Sequence, residues 1–353
     1  AAPYTYSWDT TAWIDGVHNL TAIAYDTSGN TNSTYVIVTV DNTAPEGQIT
    51  APEDGSYVRG VVEVKFSCDD ANLKSVELYI GDTLVATWLE GGSYTYEWNT
   101  TAIPDGVYTV KLLVEDLAGN TLEVEVTVTV DNTTPTGRVV SPSEGEIVKG
   151  TVSVEVSGED ANLDVIQLYI DGELVESWTT AGTHTYAWDT TDIPDGTHTI
   201  RVVVSDMAEN TFEQEVEVTV DNTAPTIGSP SISPEKPGAG ESVTVSVSVS
   251  DATSGVAEVI LSYSTDGGVT WTNKTMTAEA GGLYEATIPG QPGGTEVSYK
   301  VYARDGAGNW AAGGMGSYTV ARAGVVRLPI MYAVIIAVIV VVVATLLFIA
   351  MRR

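Results

Sequence analysis

Thr121-Leu122-Glu123-Val124-Glu125-Val126-Thr127-Val128-Thr129-Val130-Asp131-Asn132-Thr133-Thr134-Pro135 carries the fold in its spacing. Leu or Val takes every second position from Leu122 to Val130, and Thr or Glu fills the positions between. Successive side chains of an extended chain point to opposite faces, so this pattern makes a strand with one apolar and one wet face. On a helix the same residues would be spread around the whole circumference and leave no apolar stripe. Pro135 then ends the ladder, because proline has no N–H to donate.

The stretch recurs. Asp41-Asn42-Thr43-Ala44-Pro45 and Asp221-Asn222-Thr223-Ala224-Pro225 lie 90 residues to either side of Asp131–Pro135. Trp8-Asp9-Thr10-Thr11, Trp98-Asn99-Thr100-Thr101 and Trp188-Asp189-Thr190-Thr191 keep that spacing, as do Ile103-Pro104-Asp105-Gly106 and Ile193-Pro194-Asp195-Gly196. A period of 90 residues is a whole domain, not a solenoid turn. Val62, Val64, Phe66 and Cys68 alternate with polar neighbours, as do Tyr108, Val110, Leu112 and Val114, and Gly- or Pro-based turns separate the runs. About seven short strands in such a length predict an immunoglobulin-like or fibronectin-III-like β-sandwich. The expected fold class is all-β, with repeats over 43–132 and 133–222 and a divergent third over 223–322. Residues 1–42 match only the last strands of a repeat, which implies a domain lacking its front half and a chain that is a fragment. A strand donated by another subunit is the alternative.

Ile330 to Ala350 is a run of 21 residues without a charge. As a helix it spans roughly 32 Å, enough for a bilayer core. Residues 328–350 are therefore expected to be a single transmembrane helix and 351–353 a cytoplasmic stub, with the sandwiches outside the cell. No export signal opens the chain at Ala1-Ala2-Pro3, which implies residues upstream. A lone helix suits a plasma membrane rather than an outer membrane, which points to an archaeon or a single-membrane bacterium.

Fifteen Lys and Arg stand against 47 Asp and Glu, a net charge of −32. Such a polyanion repels nucleic acid and attracts cations. Cys68 is the one cysteine, so no intrachain disulfide is possible, and its strand position is inward. His18 and His198 align with Tyr108, and His184 with Tyr94, which marks packing positions rather than ligands. Zinc sites and His- or Cys-dependent catalysis are thereby disfavoured.

Sandwich topology gathers the linker acid and two loops at one pole of each domain. Asp41, Asp69, Asp70, Asn72, Asp116 and Asn120 meet at the first pole. Asp131, Glu159, Asp160, Asn162, Asp206 and Asn210 meet at the second, and Asp221, Asp251, Asp305 and Asn309 at the third. Hard calcium takes six to eight oxygens of this kind. The competing reading makes these residues turn caps that bond their own backbone. Ser264-Thr265-Asp266-Gly267-Gly268-Val269-Thr270-Trp271 fits the Asp-box pattern of sialidase-type propellers, but one copy in an alternating context is first a hairpin turn. Trp88 and Trp178 repeat in register and read as core, with a carbohydrate platform as the alternative. Five sequons begin at Asn19, Asn32, Asn99, Asn132 and Asn273, as in exported glycoproteins.

The D-N-T-A-P linker, the W-D-T-T…I-P-D-G corner and the D-x-A-G-N turn together resemble tandem Ig-like repeats of prokaryotic surface proteins, including large adhesins and archaeal cell-surface proteins. The resemblance implies a non-enzymatic stalk or adhesin, with a cell-surface protein or carbohydrate as ligand. It also implies calcium stiffening at junctions through Asp41, Asp70, Asp116 and Asn120 and their counterparts one repeat on. Two rivals share the same repeats: the stalk of an extracellular hydrolase whose catalytic domain lies upstream, and a subunit of a surface lattice or filament. Fold alone does not choose among them.

Overall fold

The computed structural model describes residues 3–322, and every regular element among them is a strand. The expected membrane segment 328–350 and stub 351–353 lie outside the described residues. Among those described, no helix is long and apolar enough to cross a membrane.

In the first complete repeat, Glu46–Ala51, Val61–Asp69 and Gly92–Asn99 form a three-stranded sheet with Val61–Asp69 in the middle. The facing sheet has five strands in the order Tyr57–Val58, Thr121–Val130, Gly106–Asp116, Leu73–Ile80, Thr83–Trp88. Tyr57–Val58 runs parallel to Thr121–Val130, and the other pairings are antiparallel. Val64, Phe66 and Cys68 from one sheet pack against Val76, Leu78, Val110, Leu112, Val114 and Val128 from the other. Val64, Phe66, Cys68, Val110, Leu112, Val114 and Val128 are among the residues that the alternation predicts to face inward. Residues 133–222 repeat the two sheets strand for strand, from Thr136–Ser141 to Thr211–Val220. In residues 223–322 the sheets are rearranged. Val243–Ser250 sits between Thr226–Ile227 and Leu283–Ile288, and Thr272–Thr275, Val256–Ser264, Glu296–Asp305 and Trp310–Thr319 form the other sheet.

The two regular repeats solve one packing problem differently. Cys68 stands opposite Val76 in the first repeat, whereas Gly158 faces the larger Ile166 in the second. A Cβ on Gly158 would lie 2.7 Å from Ile166 Cδ1 and Cγ1 and 3.0 Å from Val204 Cγ2. An extra methyl on one side chain is matched by removal of the opposing one, as close packing requires.

Near the start of the chain, Gly16–Tyr25 pairs, among the described residues, only with Thr31–Val40. Leu20 is 39% exposed where its counterpart Val110 is fully buried. Residues 3–9 align with the strand Gly92–Asn99 yet form no strand, because the described chain offers them no counterpart of Val61–Asp69. Alternation supplies the tendency, and a partner ladder supplies the strand.

The Tyr/His exchanges are explained by one contact. Tyr108 Oη donates to Pro104 O at 2.9 Å, and His198 Nε2 lies 2.9 Å from Pro194 O. Tyr94 Oη reaches Glu90 O at 2.8 Å, and His184 Nε2 lies 2.7 Å from Thr180 O. Each ring closes a corner by bonding a carbonyl four residues upstream, much as the tyrosine corner of Ig-type sandwiches does. Trp98 and Trp188 are buried behind these corners, and His184 stacks on Trp178 at 4.9 Å between centroids.

By compactness the chain divides into two units, residues 1–141 with 155–186 and 200–215, and 142–154 with 187–199 and 216 onward. Linkers 41–45 and 131–135 lie inside the first unit and 221–225 inside the second.

Candidate metal centres at the domain junctions

Three aspartates converge at each junction. Asp41, Asp70 and Asp116 bring carboxylate oxygens within 4.8 Å of one another, as do Asp131, Asp160 and Asp206, and Asp221, Asp251 and Asp305. Asp116, Asp206 and Asp305 are buried. The expected neighbours Asp69 and Glu159 end their strands on the exposed side and are not members of these groups.

Each loop aspartate is gripped by its own turn. Asp116 Oδ1 accepts from the N–H groups of Ala118, Gly119 and Asn120 at 2.9, 2.7 and 2.8 Å, and Oδ2 accepts from Asn120 Nδ2 at 2.6 Å. Burial opposes ionisation, but these donors outweigh it and hold the Asp116 carboxyl below its ordinary range. Asp206 accepts hydrogen bonds from Ala208 N–H, Asn210 N–H and Asn210 Nδ2. Asp160 goes the other way. Burial foremost, then the charges of Asp131, Asp206 and Asp105, push its carboxyl up despite a bond from Asn162 N–H.

Asparagine amides bind the linker to these loops. Asn72 Nδ2 donates to Asp41 Oδ2 at 2.7 Å, and Asn162 Nδ2 to Asp131 Oδ2 at 2.7 Å. Asn120 Nδ2 faces three oxygens, Asp41 O at 3.1 Å, Thr43 O at 3.3 Å and Asp116 Oδ2 at 2.6 Å, with only two hydrogens to offer. Asn309 repeats the arrangement at the third junction, and Asn210 at the second reaches Asp131 O and Asp206 Oδ2. At the third, Ser254 N–H replaces the missing asparagine as donor to Asp221 Oδ2, and Lys149 Nζ reaches Asn309 Oδ1 at 3.1 Å.

A second network escaped the sequence reading. Asn132 reaches back into the preceding repeat, where its Oδ1 accepts from Gly60 N–H at 3.0 Å and Thr100 Oγ1 at 3.1 Å. Its backbone N–H donates to Asp105 Oδ1 at 2.9 Å, and Thr133 Oγ1 donates to Asp105 Oδ2 at 2.6 Å. The Thr133 hydroxyl and then the Asn132 N–H hold Asp105 below the ordinary carboxylate range. Asn42 with Asp15 and Asn222 with Asp195 repeat the contact. The signal lay in the constant 27-residue offset between the I-P-D-G aspartate and the linker asparagine. This network also commits both amide hydrogens of Asn132, to Thr100 O and Asp105 Oδ1, so that sequon presents no free amide. Asn19, Asn32, Asn99 and Asn273 are exposed.

The Asp-box sequence closes a hairpin between Val256–Ser264 and Thr272–Thr275. Asp266 accepts from Thr270 Oγ1 at 2.6 Å, from Thr270 N–H at 2.9 Å and from Ser264 Oγ at 2.8 Å. The Thr270 hydroxyl foremost draws its carboxyl down to about 2. A depressed folded pKa adds stability above the unfolded value that is lost as pH falls through the folded one. The turn should therefore hold at pH 5 and open as pH falls from about 4 to 2. Trp271, whose indole N–H donates to Gly268 O, reports the opening. Amide NMR of residues 264–271 across that window checks it, and Asp266→Asn should remove most of the pH dependence.

A family model described as Bacterial Ig domain matches residues 45–112 and 135–202. Another, Bacterial Ig-like domain (group 3), matches 92–168 and 182–252. The chain is 27% identical over 195 residues to the long isoform of ulvan lyase from Glaciecola sp. (strain KUL10), covering 46% of this chain and 19% of that one. It is 29% identical over 148 residues to bacillopeptidase F of Bacillus subtilis (strain 168), covering 41% of this chain and 10% of that one. It therefore spans a fifth or less of either relative. Among solved structures, a tetra-tandem repeat from the extending region of a large adhesion protein is 20% identical, covers 89% of this chain and 84% of that one, and has a TM-score of 0.39. The fibronectin(III)-like modules of Clostridium thermocellum CbhA are 19% identical, cover 50% of this chain and 94% of that one, and have a TM-score of 0.36. Those likenesses concern fold alone. Over the residues that these models match, the chain carries tandem domains similar to the bacterial Ig domain families.

Proposed function

We propose that this array is a non-catalytic spacer of an exported protein, displayed from a membrane through residues 328–350. The observation that supports it is the junction itself. The linker aspartate, the loop aspartates and the linker asparagine recur at all three junctions, although the last domain has departed from the 90-residue template. What the repeats keep is the way one module joins the next. Two measurements test the reading. The chain should fractionate with membranes, whereas a version ending at Arg322 should not. Residues 3–322 should also turn over neither ulvan nor casein. Partitioning of both versions into the soluble fraction removes the anchor, and turnover of either substrate overturns the spacer.

The ulvan lyase and bacillopeptidase matches favour a second reading, in which the spacer stands beside a catalytic domain of the same polypeptide. The uninterrupted coding sequence decides between them: a catalytic domain in it supports the second reading, and a coding sequence without one supports the first.

Calcium is the finer proposal. Carboxylates of three chain segments and the linker carbonyls of Asp41 and Thr43 converge at one point, a hard-oxygen set of the type calcium selects. Asp41, Asp70 and Asp116, their counterparts Asp131, Asp160 and Asp206, and Asp221, Asp251 and Asp305 would hold the ion. Asn120, Asn210 and Asn309 would present Oδ1 after an amide flip. The ion would offset the burial and the neighbouring charges that raise Asp160. Titration calorimetry should find one saturable site per junction. Heats no larger than those of dilution would leave these residues as turn caps.

A further inference from the structure

The two linker residues face in opposite directions, and in the crossed sense. Asp131 comes first in the chain and its N–H donates to Val58 O behind it at 3.0 Å, but its side chain and carbonyl serve the following repeat: Oδ2 accepts from Asn162 Nδ2 and the carbonyl from Asn210 Nδ2 at 3.0 Å. Asn132 comes second but serves the preceding repeat, through Gly60, Thr100 and Asp105. Asp221 and Asn222 cross in the same way. Asn222 binds Gly150 N–H at 2.8 Å and Thr190 O at 2.9 Å behind it, and Asp221 binds Ser254 and Asn309 ahead. At the first linker, Asn42 turns back to Asp15 and Asp41 forward to Asn72.

From this crossing we infer that each linker is a joint that couples the stability of the two repeats it connects. An uncrossed linker lets one domain fray up to its last residue and leaves the next intact. Here the preceding repeat cannot release Asn132 without moving Asp131, its direct chain neighbour, whose side chain and carbonyl close the next repeat's loops. Fraying of the following repeat in turn frees the Asp131 side chain and carbonyl, and with them part of the restraint on Asn132, while the Asp131 N–H stays on Val58 O. Asp131 Oδ1 also accepts from Thr133 N–H at 3.1 Å, so the three residues move as one turn. Groups that share a hydrogen-bond network have non-additive effects when removed, whereas independent sites add. Substitutions on opposite sides of the linker should therefore interact. The inference needs no metal and stands apart from the calcium proposal.

Native-state hydrogen exchange on the whole chain, in chelator, tests it. Asn132→Ala should speed exchange at Gly60 and Thr100, which any end cap would do. Coupling predicts a further rise of at least threefold at Ala208 and Asn210, whose N–H groups bond Asp206 in the next repeat. Asn162→Ala should carry the effect backward, to Gly60 and Thr100. Thr133→Val, which removes only the hydroxyl bond to Asp105, gives a milder version should Asn132→Ala unfold the domain. Unchanged exchange at Ala208 and Asn210 in Thr133→Val and Asn132→Ala, with no backward effect of Asn162→Ala, overturns the coupling.

Discussion

Asp206→Ala is expected to cost the repeat at 133–222 about 3–5 kcal/mol, the range for breaking a buried polar network. The carboxylate is 1% exposed and accepts three hydrogen bonds, from Ala208 N–H, Asn210 N–H and Asn210 Nδ2. Alanine leaves two backbone donors buried without partners, and such donors cost about 1–3 kcal/mol each. It also frees Asn210, whose amide holds Asp131 O across the linker. For a domain of this size the melting temperature should drop by on the order of 15 °C. Asp206→Asn keeps one acceptor oxygen and should lose about half as much. Calorimetry reads both, and a cost below about 1 kcal/mol for Asp206→Ala would mean that water replaces the carboxylate freely.

The second large effect lies in the core. Gly158→Cys should destabilise the same repeat by about 2–3 kcal/mol, the range for overpacking. The new Cβ would meet Ile166 at 2.7 Å. Ile166→Val removes Cδ1, one of the two obstructing carbons of Ile166, and alone should cost about 1 kcal/mol. Combined, the two reproduce the Cys68–Val76 pair that the neighbouring repeat already packs. The double variant should be more stable than Gly158→Cys alone, a coupling that denaturant melts can resolve. Additive losses would show that the two repeats do not share one packing solution.

Fold class was legible because the side-chain period of a strand is two and the repeat printed that period in several strands. Val64, Phe66, Val110, Leu112, Val114 and Val128 are all buried as the alternation implies. The limits were tertiary. Residues 3–9 carry the same alternating sequence as Gly92–Asn99 and are no strand, since a ladder needs a neighbour that no local pattern encodes. The three aspartate groups were predictable from topology, because a sandwich brings the 69–72 and 116–120 loops to one pole. Asp69 and Glu159 were expected at the same pole and are not members of these groups. They are odd members of an alternation whose even members point inward, and the strand carries them outward. The Asp105–Asn132 contact stayed hidden for another reason. Each residue looked like a complete local motif, one a Pro-Asp-Gly turn and the other a linker.

The central claim, an array whose junctions are closed by side chains of three chain segments and hold calcium, is tested most directly by melting residues 3–322 with millimolar calcium and then with chelator. An ion bound only by the folded state at about 100 times its dissociation constant adds about 2.7 kcal/mol per site. Melting should rise by on the order of 10 °C in calcium, return with chelator, and lose part of the shift in Asp160→Asn. Coincident melting curves in calcium and chelator would contradict the account and leave the junction aspartates as turn caps.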